Sequence, residues 1–316
     1  MSLRFARQAV ADALFILGNQ HLQAGRSRVA LRRLAMAARL ASTNARYFAA
    51  AAGAAAAAGD TDATVRYAER ALHLDGHLSG VRELLAGLFL KGENYIEVLG
   101  RLHRYLRPRT YLEIGVETGL SMRLAGPAAR AIGIDPDPKL SAPLGPNVRF
   151  FQETSDAFFA RHDVRAELGG LPVDLAFIDG LHLFDYALRD FMNVERCCAP
   201  ESTVIIDDCF PMDRRTAERN RTTAFWTGDV WKLVVLLKKY RPALSIHTVA
   251  TPPTGMCLVR NLDPDSTFIR DNLDRLIGEF MVLDYSFLEK DRGGKLNLFP
   301  NDWTRIQSIL GSPRQL

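Results

Sequence analysis

Apolar side chains recur every third or fourth position through residues 1–106, which is the period of amphipathic helices. SRVALRRLAMAARLA, DATVRYAERALHLD and YIEVLGRLHRYLR all follow it, no run here reads as a strand, and no proline occurs before Pro108. Beyond Arg107-Pro108-Arg109 the pattern changes. Short unbroken apolar runs, suited to strands buried on both faces, alternate with helical stretches. The runs are TYLEIG (110–115), RAIGID (130–135), NVRFFQET (147–154), VDLAFID (173–179) and TVIIDD (203–208). Helices are expected at about 120–128, from about 138, around 155–167 and over 184–198. A helix over 229–240 precedes LSIHTVA (244–250), the turn TPPTG and MCLVRNL (256–262). So short a link makes the last two strands antiparallel, because a parallel crossover needs about a dozen residues or more. The pattern predicts a helical region over 1–106 and a doubly wound α/β sheet over 107–316. A C-terminal extension from about 263 contains one helical stretch, DNLDRLIGEFMV, and is otherwise unplaced.

The helical region repeats. LGNQHLQAG, AAGAAAAAGD and LAGLFLKGEN end near Gly25, Gly59 and Gly92, spaced 34 and 33 residues apart, and a second helix follows each. Helix, glycine turn, helix at this period resembles tetratricopeptide repeats. The resemblance implies a surface for a protein partner or for self-association. An ordinary helical bundle is the alternative.

Composition narrows the function classes. Hydrophobic content of 47% and charged content of 24% are those of a globular protein. The net charge of +4 comes with no dense basic block interleaved with aromatics, so nucleic acid is not an expected partner. Cys197, Cys198, Cys209 and Cys257 form no C-x-x-C pair and suggest free thiols in a reducing compartment. Asp12 breaks the apolar stretch Ala11–Leu17, no cleavage site follows, and no run reaches the ~18 apolar residues of a membrane span. A cytoplasmic protein is expected.

Candidate chemistry lies at the strand ends. YLEIGVETGLS reads E-x-G-x-x-x-G-x-S, and Gly115 and Gly119 would let the backbone pass close to a ligand at the mouth of the sheet. Asp135 ends the second strand about 20 residues on, where an acid accepts ribose hydroxyls. Asp137 is its competitor, and a turn-capping role is the alternative. Ser155 and Asp156 follow the third strand as further ligand contacts or as helix caps. Asp179 ends the fourth strand, Asp207 and Asp208 end the fifth, and His182 sits three residues past Asp179. If these strands are neighbours, their ends lie roughly 5 Å apart. Converging carboxylates need protons or a cation, and a hard divalent ion such as Mg²⁺ suits oxygen ligands. A neutral His182 beside it would serve as general base. Taken singly, each of these residues reads equally well as a cap or turn. In TAFWTGDVWK (223–232), Trp226, Trp231, Asp229 and Lys232 offer an acceptor surface, unless Trp231 packs into the sheet.

A parallel wind of five strands closed by an antiparallel hairpin resembles the class I methyltransferase fold, which implies strand order 3-2-1-4-5-7-6. More narrowly, FIDGLHLFDYALRDF with VIIDDCFP resembles the group containing macrocin-type O-methyltransferases and cephalosporin hydroxylase-like proteins. The resemblance implies magnesium on Asp179, Asp207 and Asp208, and His182 as base. It implies S-adenosylmethionine near Glu113, Gly115, Gly119, Ser121 and Asp135, with adenine near Ser155 and Asp156. The implied acceptor is a hydroxyl on a sugar, glycan or secondary metabolite. Glu117 departs from the residues common in this turn. A hydroxylase-like member, or a helical scaffold bearing a ligand-sensing domain, is the competing reading. A dehydrogenase is disfavoured by the missing G-x-G-x-x-G and by the terminal hairpin.

Overall fold

The computed structural model describes residues 3–312. The chain forms two compact units: one runs to Phe89 and includes Arg221–Trp226, and the other comprises the rest from Leu90 onward. No described helix is long and apolar enough to cross a membrane.

The first unit contains α1 (Leu3–Gln23), α2 (Ser27–Leu40), α3 (Ala45–Ala57), α4 (Thr61–Leu74) and α5 (Ser79–Phe89). Asn44 caps α3 by accepting from Arg46 N at 3.1 Å, and Asp60 caps α4 by accepting from Ala63 N at 2.9 Å. Gly25 and Gly59, 34 residues apart, both take left-handed φ (72° and 75°) just past α1 and α3. The core is built largely of alanine. Ala30, Ala51 and Ala54 pack around Leu34, and Ala11, Ala37 and Ala38 around Tyr47. Side chains this small allow close helix approach.

The second unit opens with α6 (Tyr95–Leu106), started by a capping box in which Asn94 and Glu97 exchange hydrogen bonds. Next come β1 (Thr110–Ile114), β2 (Arg130–Ile134), β3 (Val148–Phe151), α7 (Ser155–Arg161), α8 (Val164–Glu167), β4 (Val173–Ile178), α9 (Phe184–Cys197) and β5 (Cys198–Ile206). α10 (Trp231–Tyr240), β6 (Ser245–Val249), β7 (Met256–Arg260), α11 (Phe268–Asp271), α12 (Leu273–Met281), α13 (Ser286–Glu289), α14 (Arg292–Lys295), β8 (Leu298–Phe299) and α15 (Trp303–Leu310) complete it. The sheet order is β3-β2-β1-β4-β5-β7-β6-β8. β1 to β5 are parallel, and β7 is antiparallel to both β5 and β6. The expected seven-strand Rossmann-like order therefore holds, and the tail adds an eighth strand, β8, parallel to β6.

Several local expectations change. The helix expected at 120–128 is only a 3₁₀ turn, Met122–Leu124, stopped before Gly126-Pro127. No helix starts near 138, because Pro136, Pro138, Pro143 and Pro146 deny the segment its amide donors. The helix at 155–167 splits into α7 and α8, with Asp163 capping the second. α6, grouped by pattern with the preceding helices, belongs to the second unit. Its Val98, Leu99 and Leu102 bury against Tyr111, Leu175, Phe177, Ile205 and Leu258 of the strands, beside Ile306 and Leu310 of α15. α9 packs on β4 and β5, and α10 on α9.

His103 of α6 lies edge-on to Tyr111, ring centroids 4.5 Å apart. It is 6% exposed, and neither ring nitrogen has a partner. Burial pushes its pKa down to about 4. The folded state thus resists a proton that the unfolded chain binds near pH 6.5. Stability should fall as pH drops from 6.5 towards 4, by up to about 3 kcal/mol from this group. Urea unfolding midpoints across that range should fall less steeply in His103→Leu than in the parent.

Candidate active site

Register carries three strand ends to one rim. Tyr111 and Glu113 of β1 stand beside Leu175 and Phe177 of β4, which stand beside Thr203 and Ile205 of β5. The ladder continues past the strands: Gly115 N donates to Ile134 O, Asp179 N to Ile114 O and Asp207 N to Ile178 O, at 2.8–3.0 Å. Period-2 alternation therefore places Gly115, Asp179 and Asp207 in one row. Gly115 has φ 86°, and a Cβ there would overlap the carbonyl oxygen of Asp179. A side chain at 115 is excluded by both conformation and space.

Asp179, His182 and Asp208 bring one donor atom each to within 4.8 Å of one another. His182 Nδ1 lies 2.9 Å from Asp208 Oδ2, and its Nε2 lies 3.2 Å from Asp179 Oδ1. His182 (φ 56°) and Asp208 (φ 57°) both occupy the left-handed region, which costs roughly 1 kcal/mol or more apiece. Neighbours hold both turns. Asp229 N donates to His182 O at 3.2 Å, while Asp229 Oδ1 accepts from Phe184 N at 2.7 Å. Cys209 N and Phe210 N donate to Gly255 O and Thr254 O.

The charges at the rim are strongly coupled. Burial pushes the Asp179 carboxyl up, against the His182 hydrogen bond. Burial also raises Asp207 well above the usual range, helped by the Asp179 and Asp208 charges. For His182, burial works downward, but the Asp208 charge and the hydrogen bonds to both aspartates lift its pKa to about 11. At neutral pH the imidazole is a cation between two carboxylates. Asp207 stands beside these three, and its Oδ1 is buried without a hydrogen bond. All four residues line a cavity of about 10 Å³, the room of one water or one ion. Asp190 of α9, not anticipated from sequence, also lines it; burial raises this carboxyl to about 7 against the Ser155 hydrogen bond.

The residues expected around a cofactor are already engaged with one another. Glu113 is fully buried; Ser121 Oγ and Tyr111 OH each donate to it at 2.6 Å, and burial raises it to about 8. Asp135 Oδ2 accepts from Val116 N (2.9 Å) and Glu117 N (2.7 Å), and its Oδ1 from Asp137 N (2.8 Å). It therefore pins the glycine turn, in which Gly119 also has positive φ (77°). Thr154, rather than Ser155 or Asp156, caps α7, and Asp156 pairs with Arg189 at 3.0 Å. Within 223–232, Trp231 is fully buried, and Asp229 and Lys232 make a buried pair at 3.1 Å. Asp229 instead anchors the His182 turn. Only the remote backbone contact of Phe184 reveals that role, and no local pattern carries it.

Residues 112–209 match the methyltransferase-domain family. The match spans the glycine turn, Asp135, Asp179, His182 and the Asp207-Asp208 pair. No curated protein matches the chain at a significant level. Among solved structures, the O-methyltransferase TomG of Streptomyces achromogenes, involved in tomaymycin synthesis and in complex with SAM, is 18% identical. It aligns over 52% of this chain and 78% of its own, with TM-score 0.42. An O-methyltransferase of Bacillus cereus in complex with SAH is 16% identical over 58% of this chain and 90% of its own, with TM-score 0.41.

Two outcomes test this rim. Gly115→Ala should destabilise the fold by roughly 3 kcal/mol, read as a lowered unfolding midpoint, because Asp179 must move. In metal-free protein the His182 imidazole should hold its proton to about pH 11 by NMR titration. Asp208→Asn should bring that midpoint down, since the largest raising influence is removed while burial remains.

Proposed function

We propose that the chain is an S-adenosylmethionine-dependent O-methyltransferase using a divalent cation, Mg²⁺ or a similar ion. The observation that carries this reading is an acidic rim beside a sterically closed glycine turn, inside the segment 112–209 that matches the methyltransferase-domain family. The orphaned Asp207 Oδ1 supports the cation, because a buried carboxylate oxygen without a partner is costly unless something positive faces it. Asp179, Asp207 and Asp208 would hold the ion, which would acidify and orient an acceptor hydroxyl.

S-adenosylmethionine supplies the methyl group. The Gly115 turn would receive its methionine end, Asp135 would hold the ribose, and Ser155 and Asp156 would lie towards the adenine. Asp135 first holds the Val116, Glu117 and Asp137 amides in place; of its roughly four lone-pair sites, one would remain for the ribose. The protein's contribution to in-line displacement is alignment and removal of one proton. His182 is the base, provided Asp179 and Asp208 are neutralised by something other than its own proton.

The acceptor is read as a sugar, glycan or secondary-metabolite hydroxyl of the macrocin type. We further read the first unit as a tetratricopeptide-like surface for a protein partner or a second copy, supported by the repeated left-handed glycines. A cytoplasmic location is our reading from four unpaired thiols.

Asp179→Ala and Asp208→Ala should each abolish methyl transfer while the unfolding midpoint shows a folded protein. Full activity in both would remove the metal mechanism. Calorimetry with S-adenosylmethionine should show binding that Mg²⁺ strengthens, and no heat under either condition would favour a non-catalytic role.

A further inference from the structure

α6 runs back along the sheet into β1 through the three residues 107–109, so its first turn lies at the rim where the strands end. Tyr95 is its first residue. Its N–H donates to Pro252 O at 3.2 Å, and the Asn94–Glu97 box fixes the turn around it. The Tyr95 ring stacks on Phe177, centroids 6.4 Å apart and planes 24° from parallel. Phe177 precedes Asp179 by two residues and shares its face of β4, about 7 Å back along the strand. The ring therefore lies on the sheet face that carries the Gly115–Asp179 seam, within reach of the charges of Asp179, Asp207, Asp208 and Glu113. It is half-buried, and among the described residues no hydrogen bond engages its oxygen. Burial, followed by the charges of Asp179, Asp207, Asp208 and Glu113, holds the phenol well above its ordinary range, so it stays a proton donor.

An amino-acid moiety brought to this seam carries an ammonium and a carboxylate. The acidic rim suits the first and repels the second. His182 is occupied by Asp179 and Asp208. A neutral hydroxyl donor is what the carboxylate lacks, and Tyr95 supplies one. We propose that Tyr95 hydrogen-bonds the carboxylate of the methyl donor's amino-acid end, a binding role for α6 that rests on the S-adenosylmethionine reading above.

Calorimetry with two probes tests it: S-adenosylhomocysteine, and methylthioadenosine, which lacks the amino-acid end. Tyr95→Phe keeps the ring on Phe177 and removes only the hydroxyl. It should weaken S-adenosylhomocysteine about tenfold or more and leave methylthioadenosine unchanged, at an unaltered unfolding midpoint. Unchanged affinity for S-adenosylhomocysteine would overturn the assignment, and so would equal weakening of both probes, which marks a structural role. Parent protein that binds neither probe would instead remove the methyl-donor reading, and this role with it.

Discussion

Carboxylates crowded at a strand rim repel one another unless positive charge stands among them, and here the imidazole of His182 does so. It bridges Asp179 and Asp208 from two adjacent parallel strands. Both His182 and Asp208 adopt backbone conformations that non-glycine residues avoid, and the surrounding loops are arranged to hold them there. Asp229, itself neutralised by Lys232, fixes the start of α9 and the carbonyl of His182. The β6–β7 hairpin receives the amides after Asp208. Much of the second unit thus works to keep one imidazole and two carboxylates at hydrogen-bonding range. A protonated imidazole thus meets part of the charge of this rim by itself.

The glycine turn has a similar logic. Glu113 and Asp135 commit most of their hydrogen-bonding capacity to Ser121, Tyr111 and the turn amides. Such a turn is rigid before any ligand arrives, which lowers the ordering cost of binding. The burial of Glu113 among phenol, hydroxyl and apolar strand residues favours its neutral form. It therefore acts as part of the scaffold of the glycine turn.

Sheet order, the hairpin and the rim acids were legible because they are written as local patterns: apolar runs of strand length, a short link, and acids at run ends. That Asp208, rather than Asp207, meets His182 was not legible. It depends on a left-handed residue at 208, which turns the chain just past the row that holds Asp179 and Asp207. Asp229 and Lys232 looked like polar handles on an exposed aromatic patch, whereas tertiary contacts make them a buried pair. Tyr95 was invisible for another reason. The helix that carries it has the same period as the helices before it, and only its apolar face against β1 and β4 reveals where it belongs. The proline-rich loop after β2 shows local chemistry overriding an expected helix.

β8 contributes two residues, yet it changes what the sheet presents to its surroundings. By hydrogen-bonding along β6 it occupies the outer border of the hairpin half. Phe299 joins the core as it does so. A chain lacking this short return would offer the free amides and carbonyls of β6 to any passing extended segment, inviting sheet-to-sheet aggregation between molecules. The last part of the chain is in this sense a selvedge, a finished border that keeps the weave from running on into its neighbours.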